Sequence, residues 1–352
     1  MLVPLLLQSI SGSIIVFDHA IDEWLNPELV LSSPPSSPPA SLADILSAAM
    51  HAIPDISYIS SLRAPRHDKA MYTAFVEMKT SSPLHGKRME VMINPYTAEV
   101  VSIREWGMYF TSMVYLFHFT FLLGHNMELV LGFLAILMFI NVVVGVYYGW
   151  PRHRKVWNWL LARNKKVTPT IGKLRRTHIL AGLIALPVFP ILIVSGISLI
   201  FPDQTNWLFN RPAKPQPDVI WQNDNAIRPD EWLLRAKNHW PDTQWQRITP
   251  PTSLRPVVEI RLNAQNDPRK TSGSFALWLN PQTSQILAEQ NYNTFTFRQK
   301  IAFWLFPLHS GEAFGLPGRL LVFISGLLSA ILALAGGALW IKRKFRSQKR
   351  FT

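Results

Sequence analysis

Four apolar runs punctuate the chain: Leu2–Phe17, Met127–Tyr148, Ile179–Phe201 and Leu320–Ile341. A bilayer crossing needs roughly 20 apolar residues to cover about 30 Å of hydrocarbon. The last three runs meet that length and the first falls short. Two long segments of mixed polarity separate the runs, Asp18–Trp106 and Pro202–Phe303. In the first, "SLADILSAAMHAIPD" (Ser41–Asp55) is an amphipathic helix that ends at Pro-Asp, followed by the alternating strands "YTAFVEMK" and "RMEVMINPYTAEVVSI". In the second, "RPDEWLLRAKNHWPD" (Arg228–Asp242) precedes "PVVEIRLN" and "SFALWLNPQTSQILAE" in the same order. The periodicity changes from helical to twofold at the same place in both. An Asn-Pro-x-Thr sequence joins two strands in each, the chemistry expected of a tight turn. Between the first apolar run and the first helix, "SSPPSSPPA" reads as a polar, proline-rich linker.

These likenesses amount to an internal repeat. The turns begin at Asn94 and Asn280, an offset of 186, and the Pro-Asp pairs at Pro54 and Pro241, an offset of 187. His118 matches His309, Gly124 matches Gly315 and Gly145 matches Gly336, each at an offset of 191, and Gly12 matches Gly196 at 184. The expected fold is a membrane protein: an α-helical bundle of four transmembrane helices built from two parallel repeats, carrying two α+β domains on one side. Parallel repeats put the pseudo-two-fold axis along the membrane normal. The expected segments are a first transmembrane helix at 1–17, an external domain at 18–106, a histidine-bearing helix with the second span at 107–150 and a basic loop at 151–177. They continue with a third span at 178–201, a second external domain at 202–303, a histidine-bearing segment with the fourth span at 304–341 and a basic tail at 342–352.

Charge orients this arrangement. The loop from Pro151 to His178 carries nine Lys/Arg and no acid, and the tail after Trp340 carries six more and no acid. Those fifteen exceed the whole net charge of +13, so the basic character belongs to two short stretches and not to a nucleic-acid surface. Basic loops stay on the cytoplasmic side, which places both termini inside and the two long segments outside. The 352 residues include no cysteine. Disulfides, thiolate metal sites, cysteine-ligated iron–sulfur clusters and covalent haem attachment are thereby excluded. No dinucleotide, P-loop or hydrolase motif is present, so an electron-carrying role requires a donor from outside the chain.

The candidate chemistry lies with histidines. An ionisable side chain at membrane depth is costly and is by default a functional hypothesis. The repeat places His118 and His309 at symmetry-related positions. Two neutral imidazoles facing across an axis suit the axial positions of one haem iron. His178 opens the third run beside Arg175 and Arg176, which could meet haem propionates or simply anchor the helix at the membrane surface. Its repeat partner falls before the numbered start, and the first run lacks a basic flank, so additional upstream residues are expected. His125 has no match in the second copy, where Leu316 stands, and is a substitute ligand or a surface group. His19, His51, His67, His85, His153 and His239 lie outside the bundle. Trp207, Trp221, Trp278 and Trp304 are candidate docking surfaces or interface anchors.

"DHAIDEWLNPEL", "NPYTAEVVSIREW", "LHSGEAFGLPGRLLVFISGLLSAILALAGGALWIKR" and the two Pro-Asp/Asn-Pro-x-Thr domains resemble the PepSY-associated transmembrane proteins of bacterial inner membranes. The resemblance covers nearly the whole chain. Within that family the chain looks most like the ferric-siderophore reductases. The resemblance implies b-type haem between the spans, two haems in all, and reduction of ferric siderophore on the periplasmic side. By motif position His118, His309 and His178 take the iron-ligand role, with quinol or a cytoplasmic reductase as donor. The family also carries a His-Arg-like element before the first span, from which this sequence departs. Three alternatives stay open: a haem-free interaction protein, a transporter of siderophore or iron, and a redox protein serving another periplasmic acceptor.

Overall fold

The computed structural model describes residues 2–34, 37–161, 170–217, 219 and 228–348. In chain order its helices and strands are α1 (Leu2–Ile15), α2 (Asp18–Leu25), α3 (Leu42–His51), β1 (Ile56–Arg63), β2 (Tyr72–Met78), β3 (Met89–Ile93), β4 (Val100–Glu105), α4 (Phe110–Thr120), α5 (His125–Gly149), α6 (Arg154–Leu160) and α7 (Thr170–Ala185). There follow α8 (Phe189–Ile200), α9 (Pro202–Phe209), α10 (Pro229–His239), β5 (Thr243–Thr249), β6 (Val258–Ala264), β7 (Phe275–Leu279), β8 (Ile286–Gln290), α11 (Phe297–Ser310) and α12 (Gly315–Gln348). The chain divides into two units. One is helical and comprises Met1–Asp18, Val114–Thr205 and Leu308–Thr352; the other comprises His19–Met113 and Asn206–Pro307 and holds all the strands.

The segments read in sequence as two external domains contribute to one eight-stranded antiparallel sheet, in the order β4-β3-β2-β1-β5-β6-β7-β8. The repeat is kept residue by residue. Leu62 pairs with Ala74 and Ile248 with Ile260; Tyr72 pairs with Ile93 and Val258 with Leu279. The register irregularity at Ile59/Ser61 recurs at Trp245/Arg247, again 186 residues on. The two halves meet along β1 and β5, where Leu62 opposes Ile248. Those residues are themselves repeat mates, so the local two-fold axis of the sheet passes through their pair. Both are fully buried.

The sequence pattern missed β1 and β5. "ISYISSLR" and "TQWQRIT" are rich in polar residues and show no clean alternation, because each is broken by the irregularity just described. Their inward residues Ile56, Ile59, Leu62 and Ile248 nevertheless join one core with α3 and α10. Ser41 caps α3 by accepting from the Asp44 backbone N–H at 3.1 Å. Asp230 of α10 accepts from the Leu42 N–H at 2.7 Å and ties the two helices together. The Asn-Pro-x-Thr turns are as expected: Asn94 Oδ1 accepts from the Tyr96 and Thr97 N–H groups, and Asn280 Oδ1 from those of Gln282 and Thr283. Ala98 and Ser284, four residues on in each turn, share a positive φ of 56° and 55°.

The opposite face of the sheet differs between the halves. In the first, Arg104 is bidentate to Asp22 at 3.0 and 2.9 Å, reaches Glu90 at 3.3 Å and stacks over Tyr109, whose hydroxyl donates to Glu90. Burial, then the Glu90 charge, raises the Tyr109 pKa, so its phenol stays protonated. In the second half Trp278 lies on this face and is buried against Val257 and Ala276. Trp278 therefore offers no docking surface, contrary to the sequence expectation: β7 is covered on both faces, and all of its side chains are buried. Trp207 is exposed, Trp304 donates to the Tyr292 hydroxyl at 3.0 Å, and Trp221 lies outside the described residues.

In the helical unit α5 and the segment Glu312–Lys344 are each long and apolar enough to cross a bilayer, and up to four spans result if the bent pairs α1 with α2 and α7 with α8 each count as one. The third run is not the single straight helix expected for 178–201. It bends by 66° between Ala185 and Phe189. Pro187 and Pro190 supply no N–H there, which breaks the backbone ladder. Helix α12 packs against α1 and α7, and α5 packs against α8. Small residues permit the crossings: a Cβ on Gly326 would strike Ser13 Oγ, and one on Gly132 would fall 2.7 Å from the Phe201 ring. Gly124 and Gly315 open the two long helices with φ of 79° and 60°, a conformation that suits glycine. Of the basic loop, Arg163, Lys165 and Lys166 lie outside the described residues, as do Lys349 and Arg350 of the tail.

Candidate functional site

Helix α4 carries His118 and α11 carries His309, each in its last turn. Their rings face one another with centroids 6.4 Å apart and planes inclined at 52°. Each ring rests on a glycine of an apolar helix. A Cβ on Gly12 of α1 would come within 3.0 Å of His118 Cε1, and one on Gly196 of α8 within 3.1 Å of His309 Cε1. The residue before each glycine is a buried serine, Ser11 or Ser195. Ser11 Oγ lies 3.0 Å from His118 Nδ1, and Ser195 Oγ lies 3.1 Å from His309 Nδ1.

The hydrogen bonding fixes the tautomers. Ser11 Oγ gives its proton to the Leu7 carbonyl at 2.7 Å, so it accepts from His118 Nδ1–H. Ser195 likewise donates to the Ile191 carbonyl, and His309 Nδ1 lies 3.1 Å from the Leu192 carbonyl, which can only accept. With the proton on Nδ1, the Nε2 lone pair of each ring is available to a metal. Gln8 donates to the His118 carbonyl and fixes the end of α4 against α1.

His178 of α7 is built on the same plan. Its Nδ1 donates to the Leu332 carbonyl at 2.9 Å, and its ring packs on Gly336 of α12, whose Cβ would lie 3.0 Å from Cε1. Gly145, the repeat mate of Gly336, has nothing within 4 Å of its Cβ direction. Arg175 and Arg176 stand on the same helix, Arg175 exposed and Arg176 half-buried. His125 is a surface group: it is exposed at the start of α5 and sits 2.9 Å from Glu128. His67 and His239 pair with Glu23 and Glu289 in the other unit, and His51 bonds the Ser47 carbonyl.

The His118–His309 spacing can be tested against a haem. With metal–nitrogen bonds of about 2.0 Å and a ring nitrogen about 1.1 Å from its centroid, two imidazoles on opposite sides of one metal have centroids roughly 6.3 Å apart. The observed 6.4 Å fits that arrangement. Among the described residues no group of three or more His, Cys, Asp or Glu could hold a bare metal ion. Two imidazoles without a third protein ligand fit a metal whose remaining positions are filled by a planar macrocycle.

Sequence reasoning found the histidines and matched Gly12 to Gly196, but missed Ser11 and Ser195. The available signal was the Ser-Gly pair, repeated at the same offset of 184. Gly336, known from sequence only as the repeat mate of Gly145, is the seat of His178.

An apolar bundle whose long helices can cross a bilayer, joined in one chain to a two-copy α+β sheet, defines a membrane protein of duplicated build. Residues 1–343 match the model of the PepSY-associated TM region, and the chain belongs to that family. No curated protein matches it in sequence.

Proposed function

We propose that this protein is a haem-containing inner-membrane reductase that passes electrons across the membrane and reduces ferric siderophore in the periplasm. The observation that carries the reading is the His118–His309 pair, 6.4 Å between centroids, with both Nδ1 protons committed to Ser11, Ser195 and Leu192. In this reading the chain crosses the membrane four times, with α7 and α8 forming one bent span, and both termini are cytoplasmic.

His118 and His309 hold one b-type haem, and His178 contributes to a second. When bound, the haem supplies one-electron redox chemistry that no side chain of this cysteine-free protein offers. The protein's part is ligation, burial and orientation. Ser11 and Ser195 hold the Nδ1 protons and so would leave each Nε2 free for the metal, and Gly12 and Gly196 leave room for the rings beside their helices. Arg176, two residues before His178, is positioned on α7 to offer a cation to haem carboxylates. The substrate iron gains one electron. Ferrous iron is a softer ion than ferric and fits hard oxygen ligands less well, so the chelate loosens. The electron comes from quinol or from a cytoplasmic reductase.

The visible spectrum of the detergent-purified protein tests the reading. A Soret band with low-spin bis-imidazole features is expected, and His118→Ala or His309→Ala should each abolish the same haem while leaving the one at His178. A purified protein with no Soret band, or alanine variants with undiminished haem, would overturn it.

A further inference from the structure

Helix α2 is amphipathic in the reverse sense. A surface helix of a protein in water turns its apolar stripe to the core and its charges outward. In α2 two acids turn inward: Asp22 is buried and bidentate to Arg104 of β4, and Glu23 Oε1 lies 3.0 Å from His67 Nε2. Apolar residues turn outward instead. Ala20, Trp24 and Leu25 are exposed, Trp24 by 78%, and positions four apart, such as Ala20 and Trp24, share one stripe of a helix. The surface continues beyond α2. Arg104 also reaches Glu90, which accepts from the Tyr109 hydroxyl, and Met108 and Phe110 on either side of Tyr109 are exposed.

The second copy repeats the feature with different bonds. Trp24-Leu25 matches Trp207-Leu208 at an offset of 183. Here Arg298 Nε donates to the Leu208 carbonyl at 2.7 Å, and Gln299 Nε2 to the Asn210 carbonyl at 3.0 Å. Trp207 is 81% exposed, and Leu208 and Phe297, the neighbour of Arg298, are exposed as well. In each copy, then, polar bonds hold the short helix in place and leave a Trp-Leu pair outside.

Exposed apolar surface of this kind marks a site of interaction, and the course of the chain names the partner. Asp18 opens α2 three residues after α1 ends at Ile15, and Pro202 opens α9 two residues after α8 ends at Ile200. Three residues reach about 10 Å at full extension, and the headgroup layer on each side of the hydrocarbon is roughly 5–7 Å thick. Both short helices thus begin in or beside that layer. Tryptophan favours it, because the ring is apolar and its N–H is not. Asp18, Asp22 and Glu23 keep α2 from sinking further, into the hydrocarbon.

We propose that Trp24-Leu25 and Trp207-Leu208 are lipid-docking surfaces, one in each copy, seated at the headgroup boundary of the bilayer that α1 and α8 enter. The inference requires neither haem nor siderophore.

The absence of cysteine lets single labels be placed without background. Trp24→Cys and Trp207→Cys, each in the full chain and carrying a bimane, are reconstituted in phosphatidylcholine/phosphatidylglycerol nanodiscs that hold one protein molecule each. Three quenchers are compared: phospholipid with a nitroxide on the headgroup, phospholipid with a nitroxide at the acyl terminus, and aqueous iodide. The headgroup nitroxide should remove most of the emission, the acyl-terminal one less, and iodide least. Leu25→Cys and Leu208→Cys should follow the same order, and they serve if a tryptophan variant does not fold. Strongest quenching by iodide would put the surface in water and overturn the proposal. Strongest quenching from the acyl terminus would overturn it in favour of a helix within the hydrocarbon. Weak quenching by all three would mean that protein covers the surface, and would overturn lipid as its partner. Lipid quenching in one copy alone would overturn the surface in the other.

Discussion

The two copies seat their histidines alike but secure them differently. His118 has Ser11 Oγ as its Nδ1 acceptor and Gln8 gripping its own carbonyl, whereas His309 has both Ser195 Oγ and the Leu192 carbonyl. At the second level the contrast is larger: His178 covers Gly336, while nothing lies within 4 Å of the Cβ direction of Gly145. What recurs is a glycine beneath each ring and a hydrogen bond at Nδ1. What varies is the partner at Nδ1. The glycine seat therefore belongs to the repeat, and the tuning of each imidazole belongs to its own copy.

Filling the seats should break this comparison most strongly. Gly196→Leu puts a branched side chain where a Cβ already approaches His309 to 3.1 Å. The expected result is loss of the haem held by His118 and His309, read as a roughly halved pyridine haemochrome yield if two haems are bound. Gly336→Leu should do the same to the haem at His178, and Gly145→Leu should leave both, since no described atom stands there. Equal haem loss from Gly145→Leu and Gly336→Leu would show that the two positions are not different.

The strand register of the sheet is shared by both copies, and the comparison sharpens at their seam. Leu62→Ala should destabilise the sheet unit by about 2–5 kcal/mol, the range for buried large-to-small substitutions, and Ile248→Ala by a similar amount. Because the two residues oppose each other across the seam, the double variant should cost less than the sum. Denaturant unfolding followed by tryptophan fluorescence reads all three. An additive double variant would mean that the pair does not share one packing site.

Smaller effects separate the two serines. Ser11→Ala removes the Nδ1 acceptor of His118, whereas Ser195→Ala leaves His309 the Leu192 carbonyl. A net hydrogen bond is worth about 0.5–1.5 kcal/mol, and a hydrogen bond donated from Nδ1 raises the basicity of the ligating nitrogen. The haem midpoint potential should therefore rise in both variants, and further in Ser11→Ala. Identical shifts would deny the second acceptor any role.

The smallest effect is the dependence of sheet stability on acid. Glu259 is depressed: despite burial, Arg261 and Lys214 favour its charged form, so its contribution is present above the unfolded carboxylate pKa and is lost as pH falls through the folded value. Asp267 is raised, chiefly by burial, which outweighs the hydrogen bonds from Ser274 and Arg269. Its linkage runs the other way, favouring the fold as pH drops through its raised value. Glu259→Gln should flatten the acid limb of the stability profile and Asp267→Asn should steepen it, as followed by thermal melts below neutral pH.

Much of this architecture was legible because the chain states it twice. Asn94 and Asn280, or His118 and His309, mean little singly, yet equal spacing made them elements of a repeat. The apolar runs were legible by length, and the histidines by the cost of placing an ionisable group among them. What escaped was short or depended on geometry. β1 and β5 carry an irregularity that disturbs the twofold alternation. The bend in the third run follows from Pro187 and Pro190, which in a membrane helix can also be tolerated without a break. The buried position of Trp278 depends on cover over the outer face of β7, which no local pattern reveals. Ser11 and Ser195 looked like helix residues of no particular use until the rings were placed beside them.

The seam through Leu62 and Ile248 has a consequence for descent. A residue that meets its own counterpart across an axis is what two identical molecules present to one another when they dimerise. A gene encoding one copy could have made a homodimer with the same central strand contact and the same facing imidazoles, before fusion into a single reading frame. In the fused chain the copies differ: Arg247 and Arg261 of the second stand where the first has Ser61 and Phe75, and the Asp22–Arg104–Glu90 clamp stands in the first alone. Two separately expressed halves would then be expected to find each other through the edge that the fused chain now buries.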